Sequence, residues 1–165
     1  MSYQYYARVK GKTQGQFKAE STKEGRKDKW VECMAFKMGS SVPVDANSGA
    51  VKGFRVHKPL VITKEFGAAS PQFLQAHWNN EVLDEVVLEI VGRDTGGKKE
   101  KVVERITLKD AVIVAVDRYS DQSAKDVSEH DTEHLEDVSF RFRQILVENP
   151  DAGTSTSDDW NTADR

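Results

Sequence analysis

The stretch Lys101-Val-Val-Glu-Arg-Ile-Thr-Leu108-Lys-Asp-Ala111-Val-Ile-Val-Ala-Val-Asp117 decides how this chain folds. In its first half Val102, Ile106 and Leu108 alternate with Lys101, Arg105 and Thr107, the period-two pattern of a strand with one wet face. From Ala111 to Val116 the run is apolar on both faces. No Gly, Pro or Asn lies between Leu108 and Ala111 to make a tight hairpin. The stretch therefore reads as one long strand with a bend or bulge at Lys109–Asp110, passing from one sheet to another at a barrel corner. Two-sided burial of its second half requires cover from outside the barrel, by a helix or another subunit.

Working outward, the same period recurs. Tyr3, Tyr5, Ala7 and Val9 share a face in 3–10, and Trp30, Met34, Phe36 and Met38 share one in 30–38. Phe54, Val56, Leu60 and Ile62 alternate with polar residues in 54–63, as do Val82, Val86, Leu88 and Ile90 in 82–91. The clearest strand is 137–147, where Val138, Phe140, Phe142 and Leu146 face away from Ser139, Arg141 and Arg143. A shorter candidate runs from Gly15 to Glu20. The 19 valines against 7 leucines agree, because stiff β-branched side chains fit a pleated surface better than a helix. One segment reads as a helix: Ser70 caps, Pro71 takes the first turn, Phe73, Leu74, His77 and Trp78 form the stripe, and Asn79–Asn80 stop it. At about ten residues it must be held by packing.

Composition bounds the rest. A chain of 165 residues implies one domain, and its apolar content at a net charge of −3 argues against disorder. The longest apolar run, Ala111 to Val116, is far short of the roughly 20 residues that span a bilayer, so no membrane insertion is expected. The N-terminus MSYQYYARVK has no apolar core of a secretory signal. One cysteine, Cys33, rules out an internal disulfide. Residues 1–116 are net basic and 117–137 strongly acidic, which fits either steering between copies or two solvated faces. Lys23, Arg26, Lys27 and Lys29 are diluted by Glu24 and Asp28, so no nucleic-acid partner is expected.

Two gaps interrupt the strands. Gly39 to Lys52 (GSSVPVDANSGAVK) is long for a loop in a compact domain, and loops of that length are usually functional or disordered. Val42, Val44 and Val51 weigh against disorder. Fully extended it covers roughly 46–50 Å, or about half that out and back. The second gap, 119–136, is polar and acidic, and the chain from Glu148 reads as a mobile tail apart from Trp160.

No catalytic, cofactor or metal site emerges. Gly92 to Lys99 (GRDTGGKK) approaches a phosphate-binding loop, but Lys99 stands where a Mg²⁺-binding Ser/Thr belongs, and a strand pattern follows where a helix is needed. It reads as a hairpin turn. His130 and His134 have helical metal-ligand spacing but lie in an apolar-poor acidic segment with nothing to fix them. Cys33 reads as a buried structural thiol. His57 and His77 read as an exposed strand residue and a helix-stripe residue. The protein is expected not to be an enzyme and to need no cofactor.

Taken in order, His57-Lys-Pro59-Leu60 with Lys64, then Ser70, Pro71, Phe73, Leu74 and Ala76, then the strand 86–91 are one half of a pattern. The other half is Glu104, Ile106, Leu108, Ala111 and Val116, then Leu135, Glu136, Val138, Phe140, Phe142 and Ile145. This series resembles the haemolysin-coregulated protein (Hcp) family, the inner-tube proteins of bacterial type VI secretion systems, from Tyr5 to about Trp160. Asp159-Trp160-Asn161 resembles the Trp-containing end of its members. The resemblance implies a mostly-β fold: a β-barrel of two antiparallel sheets with one short α-helix on its flank and a long extended loop. It implies an Hcp-like domain over 1–148, with the extended inter-subunit loop at 39–52, the acidic loop at 119–136, and a polar tail at 149–165. It further implies homohexameric rings that stack into a tube inside a contractile sheath, under a VgrG-like tip spike protein, with small effector proteins in the bore. Such a protein is made in the bacterial cytoplasm and exported without a signal peptide. Val42, Pro43, Val44 and Val51 are expected near a contact with a neighbouring subunit or ring. The competing readings are a monomeric small-ligand-binding β-barrel and a metal hydrolase using His130 and His134.

Overall fold

The computed structural model describes residues 2–19, 21, 26, 29–93, 99–121 and 133–160. The long strand is there: β9 runs from Glu100 to Asp121 without interruption. Its bend falls at Asp110, whose φ of +49° lies in the left-handed region that short polar side chains tolerate best after glycine. Before the bend β9 pairs with β8 (Leu83–Arg93) and β11 (Gln144–Asn149). Beyond it, the strand continues pairing with β10 (Glu133–Arg141) in a second sheet.

The chain that follows β9 must turn the same corner. The expected single strand over 137–147 is accordingly two, β10 and β11, broken at Phe142–Arg143. The Arg143 N–H donates to the carbonyls of Lys109 (3.2 Å) and Asp110 (3.3 Å), so the break sits on the bend itself. Phe142 stays buried at the corner.

The first sheet is completed by β1 (Ser2–Gly11) beside β8, with β2 (Gly15–Gln16) and β3 (Val31–Cys33) on β1, and β12 (Thr154–Asp159) on β11. The second adds β7 (Leu60–Glu65) beside β10, and β4 (Ala35–Lys37) on β7. A two-stranded ribbon, β5 (Ser40–Ser41) with β6 (Val56–His57), stands apart from both. The expected strand over 30–38 is likewise split. Its β3 half pairs with β1 and its β4 half with β7, and Met34 between them donates its N–H to the Thr63 carbonyl. The two sheets are thus bridged by a broken segment and do not close into an uninterrupted barrel.

The space between the sheets is filled by Val9, Phe17, Leu60, Ile62, Leu83, Val86, Leu88, Ile106, Leu108, Val138 and Phe140, all essentially without solvent exposure. The helix α1 (Ser70–Trp78) closes one end by inserting Phe73 and Ala76. Phe73 meets Phe17 and Phe140 edge-on at 5.1 and 6.4 Å, the arrangement that aligns positive ring edge with negative ring face. The helix ends as expected at Asn79–Asn80, with Asn80 at φ +51°. Two helix expectations fail. Ser70 makes no cap and is itself the first helical residue, with Ala69 in the cap position. Trp78 is not in the stripe but 75% exposed, because Phe73, Ala76 and half-buried His77 already fill the sheet-facing side.

The tail and the acidic gap are also shorter than expected. Residues 154–159 are strand β12, paired along its whole length with β11. β9 and β10 extend to Asp121 and Glu133. The rest of the acidic gap, with His130, lies outside the described residues, as do 94–98 of the glycine-rich turn. That turn's flanks are an antiparallel pair closed at Arg93↔Glu100, as a hairpin requires. No helix among the described residues is long and apolar enough to cross a membrane.

Candidate assembly surface

The segment from Met38 to Lys58 forms an arm, and its sequence explains its shape. Ser40↔His57 and Ser41↔Val56 pair at its root, and Val44↔Val51 near its tip. At the tip, the Asp45 carboxylate accepts the N–H groups of Asn47 (2.8 Å) and Ser48 (3.1 Å), an Asx turn. These two bonds hold the Asp45 carboxyl below its ordinary range. Gly49, at φ +71°, lets the chain reverse, and its N–H donates to the Asp45 carbonyl at 2.9 Å. Gly53 at φ +104° absorbs the extra residues on the returning strand.

This arm has no core behind it. Val42, Val44 and Val51 are 40, 60 and 71% exposed, and Pro43 is exposed with them. The structure therefore brings all four expected contact residues together on one projecting ribbon. It adds Met38, Phe54 and Val56, which are exposed as well. The sequence pattern had placed these three on inward faces of strands 30–38 and 54–63. Gly53 and Pro59 were the available signal against that, since a flexible residue and one without an N–H break the run on either side of Phe54 to Lys58.

The root of the arm is tied to β12 by one carboxylate. Arg55 grips Asp158 with two guanidinium nitrogens, Nε on Oδ2 and Nη2 on Oδ1, the latter at 2.5 Å. Arg55 Nη2 also donates to the Asp159 carbonyl at 3.1 Å. His57 Nε2 lies 2.6 Å from Asp158 Oδ2. The Arg55 hydrogen bonds, then the His57 contact, hold the Asp158 carboxyl far below the ordinary carboxylate range, and Asp158 in turn raises Arg55. The His57 ring packs against Phe142 (5.4 Å) and Trp160 (5.6 Å), so it is half-buried rather than the exposed strand residue expected.

A second unpartnered area surrounds the helix. Pro71, Leu74, Gln75, Trp78, Asn79 and Arg118 line an open recess of about 350 Å³. Phe66, Val114 and Tyr119 nearby are each about 40% exposed. Val112 and Ala115 are half-buried, so the second half of β9 is covered by α1 only in part.

Beneath this area lies a buried charge cluster that the sequence did not reveal. Lys64 and Glu136 are 2 and 0% exposed and form a direct ion pair. Ser70 Oγ donates to Glu136 Oε1 at 2.6 Å and accepts from Lys64 Nζ at 3.2 Å and from the Gly67 N–H at 2.8 Å. Lys64 Nζ also donates to the Glu65 carbonyl at 2.8 Å. Arg118 Nε stands 3.4 Å from Glu136 Oε2, an ion-pair distance without hydrogen-bond geometry, and its guanidinium lies 3.8 Å over Phe66. Two strands and the helix are pinned together here.

His134 is exposed and stacks on Phe66 at 5.5 Å, and no group of three or more metal-binding side chains occurs among the described residues. Cys33 is half-buried rather than buried, and desolvation pushes its thiol up to about 12, the reverse of an activated nucleophile.

The family model "Type VI secretion system effector, Hcp" matches residues 6–148. The chain belongs to the Hcp family. It is 38% identical over 152 residues to the major exported protein of Pseudomonas aeruginosa, covering 90% of this chain and 87% of that one. A crystal structure of an Hcp protein superposes with a TM-score of 0.86 at 28% identity, over 96% of this chain and 98% of the other. The secreted protein Hcp3 of Pseudomonas aeruginosa superposes with a TM-score of 0.73 at 30% identity, over 96% and 99%. The two-sheet fold with one flanking helix and a projecting arm is thus the Hcp fold.

Proposed function

We propose that this Hcp-family chain is a structural tube subunit of a bacterial type VI secretion system. It forms hexameric rings that stack into a tube, which is ejected by a contractile sheath under a VgrG-like spike and carries small effector proteins in its bore. It leaves the cell through that apparatus and acts as a building block rather than as a catalyst. The observation that carries this reading is the arm. A two-stranded ribbon is marginal in water on its own, yet this one holds Met38, Val42, Val44, Val51, Phe54 and Val56 in solvent. Full burial of each such side chain contributes about 1.5–3 kcal/mol, so contact with another copy has a large driving force. A closed ring uses unlike surfaces on adjacent copies, and the arm and the helix recess are two such unlike surfaces on one chain.

Solution mass tests the ring: 18.5 kDa for a single chain against six times that. Deleting 42–51 is expected to leave a folded chain with weakened rings or stacks, read by light scattering and negative-stain imaging. Unchanged tubes would remove the arm from assembly. Stacks are expected to weaken more than rings as salt rises, because exposed charges are screened first.

The ligand-binding barrel finds little support. Its interior is filled by Phe17, Phe73 and Phe140. The recess beside Lys18, Val31 and Lys64 holds about 120 Å³, and the roomier ones, of about 350 to 600 Å³, are open grooves on the surface by the helix and the arm root rather than a pocket inside a barrel.

A further inference from the structure

We propose that β12 is a clasp that sets the direction of the arm, with Asp158 as the positioning residue that fixes which face of the arm is offered for contact. Arg55 and His57 are two apart in sequence, so on an extended chain they project to one side, and both close on the same carboxylate. Phe54 and Val56 alternate with them and are 57 and 44% exposed. One carboxylate thereby turns the polar side of the returning strand toward the chain's own C-terminal hairpin and the apolar side away from it.

Three features make the clasp specific. The arm's root is held along its backbone by Ser40↔His57, Ser41↔Val56 and the Lys58 N–H to the Gly39 carbonyl (2.8 Å), all within the ribbon itself. It follows the β4–β7 pair across a one-residue slip in register, between Lys37↔Val61 and Ser40↔His57, so the ladder of the second sheet loosens where the arm begins and leaves its angle to other contacts. The clasp strand is itself held firmly: β12 pairs with β11 from Gln144↔Asp159 to Asn149↔Thr154, and the Trp160 N–H donates to the Arg143 carbonyl at 3.0 Å. The fork of Arg55 on two oxygens of one carboxylate also fixes orientation, which a single point contact does not.

The arm's direction matters for assembly only if the tube reading above holds, but the clasp itself does not depend on that reading. The test is Asp158→Asn, compared with the unaltered protein by amide hydrogen exchange. The arm-root amides, including Lys58, are expected to exchange at least tenfold faster, with β8 and β9 amides and the unfolding midpoint unchanged. Trypsin is expected to cut after Lys52 and Arg55 correspondingly faster. Asp158→Glu, which keeps a carboxylate, is expected to restore part of the protection. Should Asp158→Asn fail to fold, Arg55→Met gives the same exchange readout, with trypsin followed at Lys52 alone and the Asp158–His57 contact intact. Equal arm-root exchange in the variant and the unaltered protein overturns the clasp, and if rings still form it does so without touching the tube reading. A protein that stays monomeric, with an arm root protected until Asp158 is changed, supports the clasp and sinks the tube reading.

Discussion

Glu136 and Asp158 face the same electrostatic task in two settings. Each is a single carboxylate shared by two basic side chains, Lys64 and Arg118 in one case, Arg55 and His57 in the other. Glu136 is sealed between strands and helix, whereas Asp158 keeps about a quarter of its side chain in water. A sealed charge has lost its hydration and depends wholly on its partners, so it acts on whether the fold exists. A half-wet charge can be rehydrated, so it acts on where a segment points.

The sharpest way to break this contrast is Glu136→Ala. It strands Lys64 without a counter-charge in the core and is expected to cost about 3–5 kcal/mol in urea unfolding. The paired variant Lys64→Met/Glu136→Leu is expected to recover most of that loss, because two apolar side chains remove both desolvation penalties together. If the pair is as damaging as the single change, the cluster does more than satisfy its own charges.

Acid separates the two sites next. Asp158 is held below its unfolded value of about 3.9, so its contribution is present above that value and is lost as pH falls below it. Arm-root protection is expected to fall between pH 5 and pH 2, and the difference from Asp158→Asn to shrink over the same range. A difference that does not shrink over this range would mean that the carboxylate charge is not what holds the arm.

Cys33 reports on the core side. With its thiol raised to about 12, labelling by a thiol reagent at pH 8 is expected to be at least tenfold slower in the folded protein than in urea. Rapid labelling would show that the sheet edge at β3 opens without unfolding. The smallest effect belongs to a surface pair with more than half of each side chain in water, Lys101 with Asp151 at 3.0 Å. Lys101→Ala is expected to change stability by no more than about 0.5 kcal/mol, which sets the floor of the comparison.

These contrasts mark how far the chain could be read before its structure. Period-two alternation exposed β1, β7, β8 and β9, and the missing turn residues at Lys109–Asp110 correctly argued for a bend, because both are local properties of the backbone. Alternation says that one face is wet but not how far a strand continues. It therefore joined β10 to β11 across a corner and β3 to β4 across Met34. The four arm residues Val42, Pro43, Val44 and Val51 were legible from the length and composition of 39–52. Phe54 and Val56 were not, because an apolar residue on an alternating stretch looks the same whether its face meets a core or water.

By itself the sequence determined most of the strands, the bend, the flanking helix and the membership of the family, since each follows from neighbours along the chain or from their order. Only the tertiary structure decided the rest. Ser70 turned from a cap to a buried charge cluster, Trp78 moved from stripe to surface, the supposed tail became β12, and a carboxylate about a hundred residues from Arg55 and His57 came to hold the arm. Such contacts are made across the fold, and they exist only once two sheets have brought distant strands to within hydrogen-bond reach.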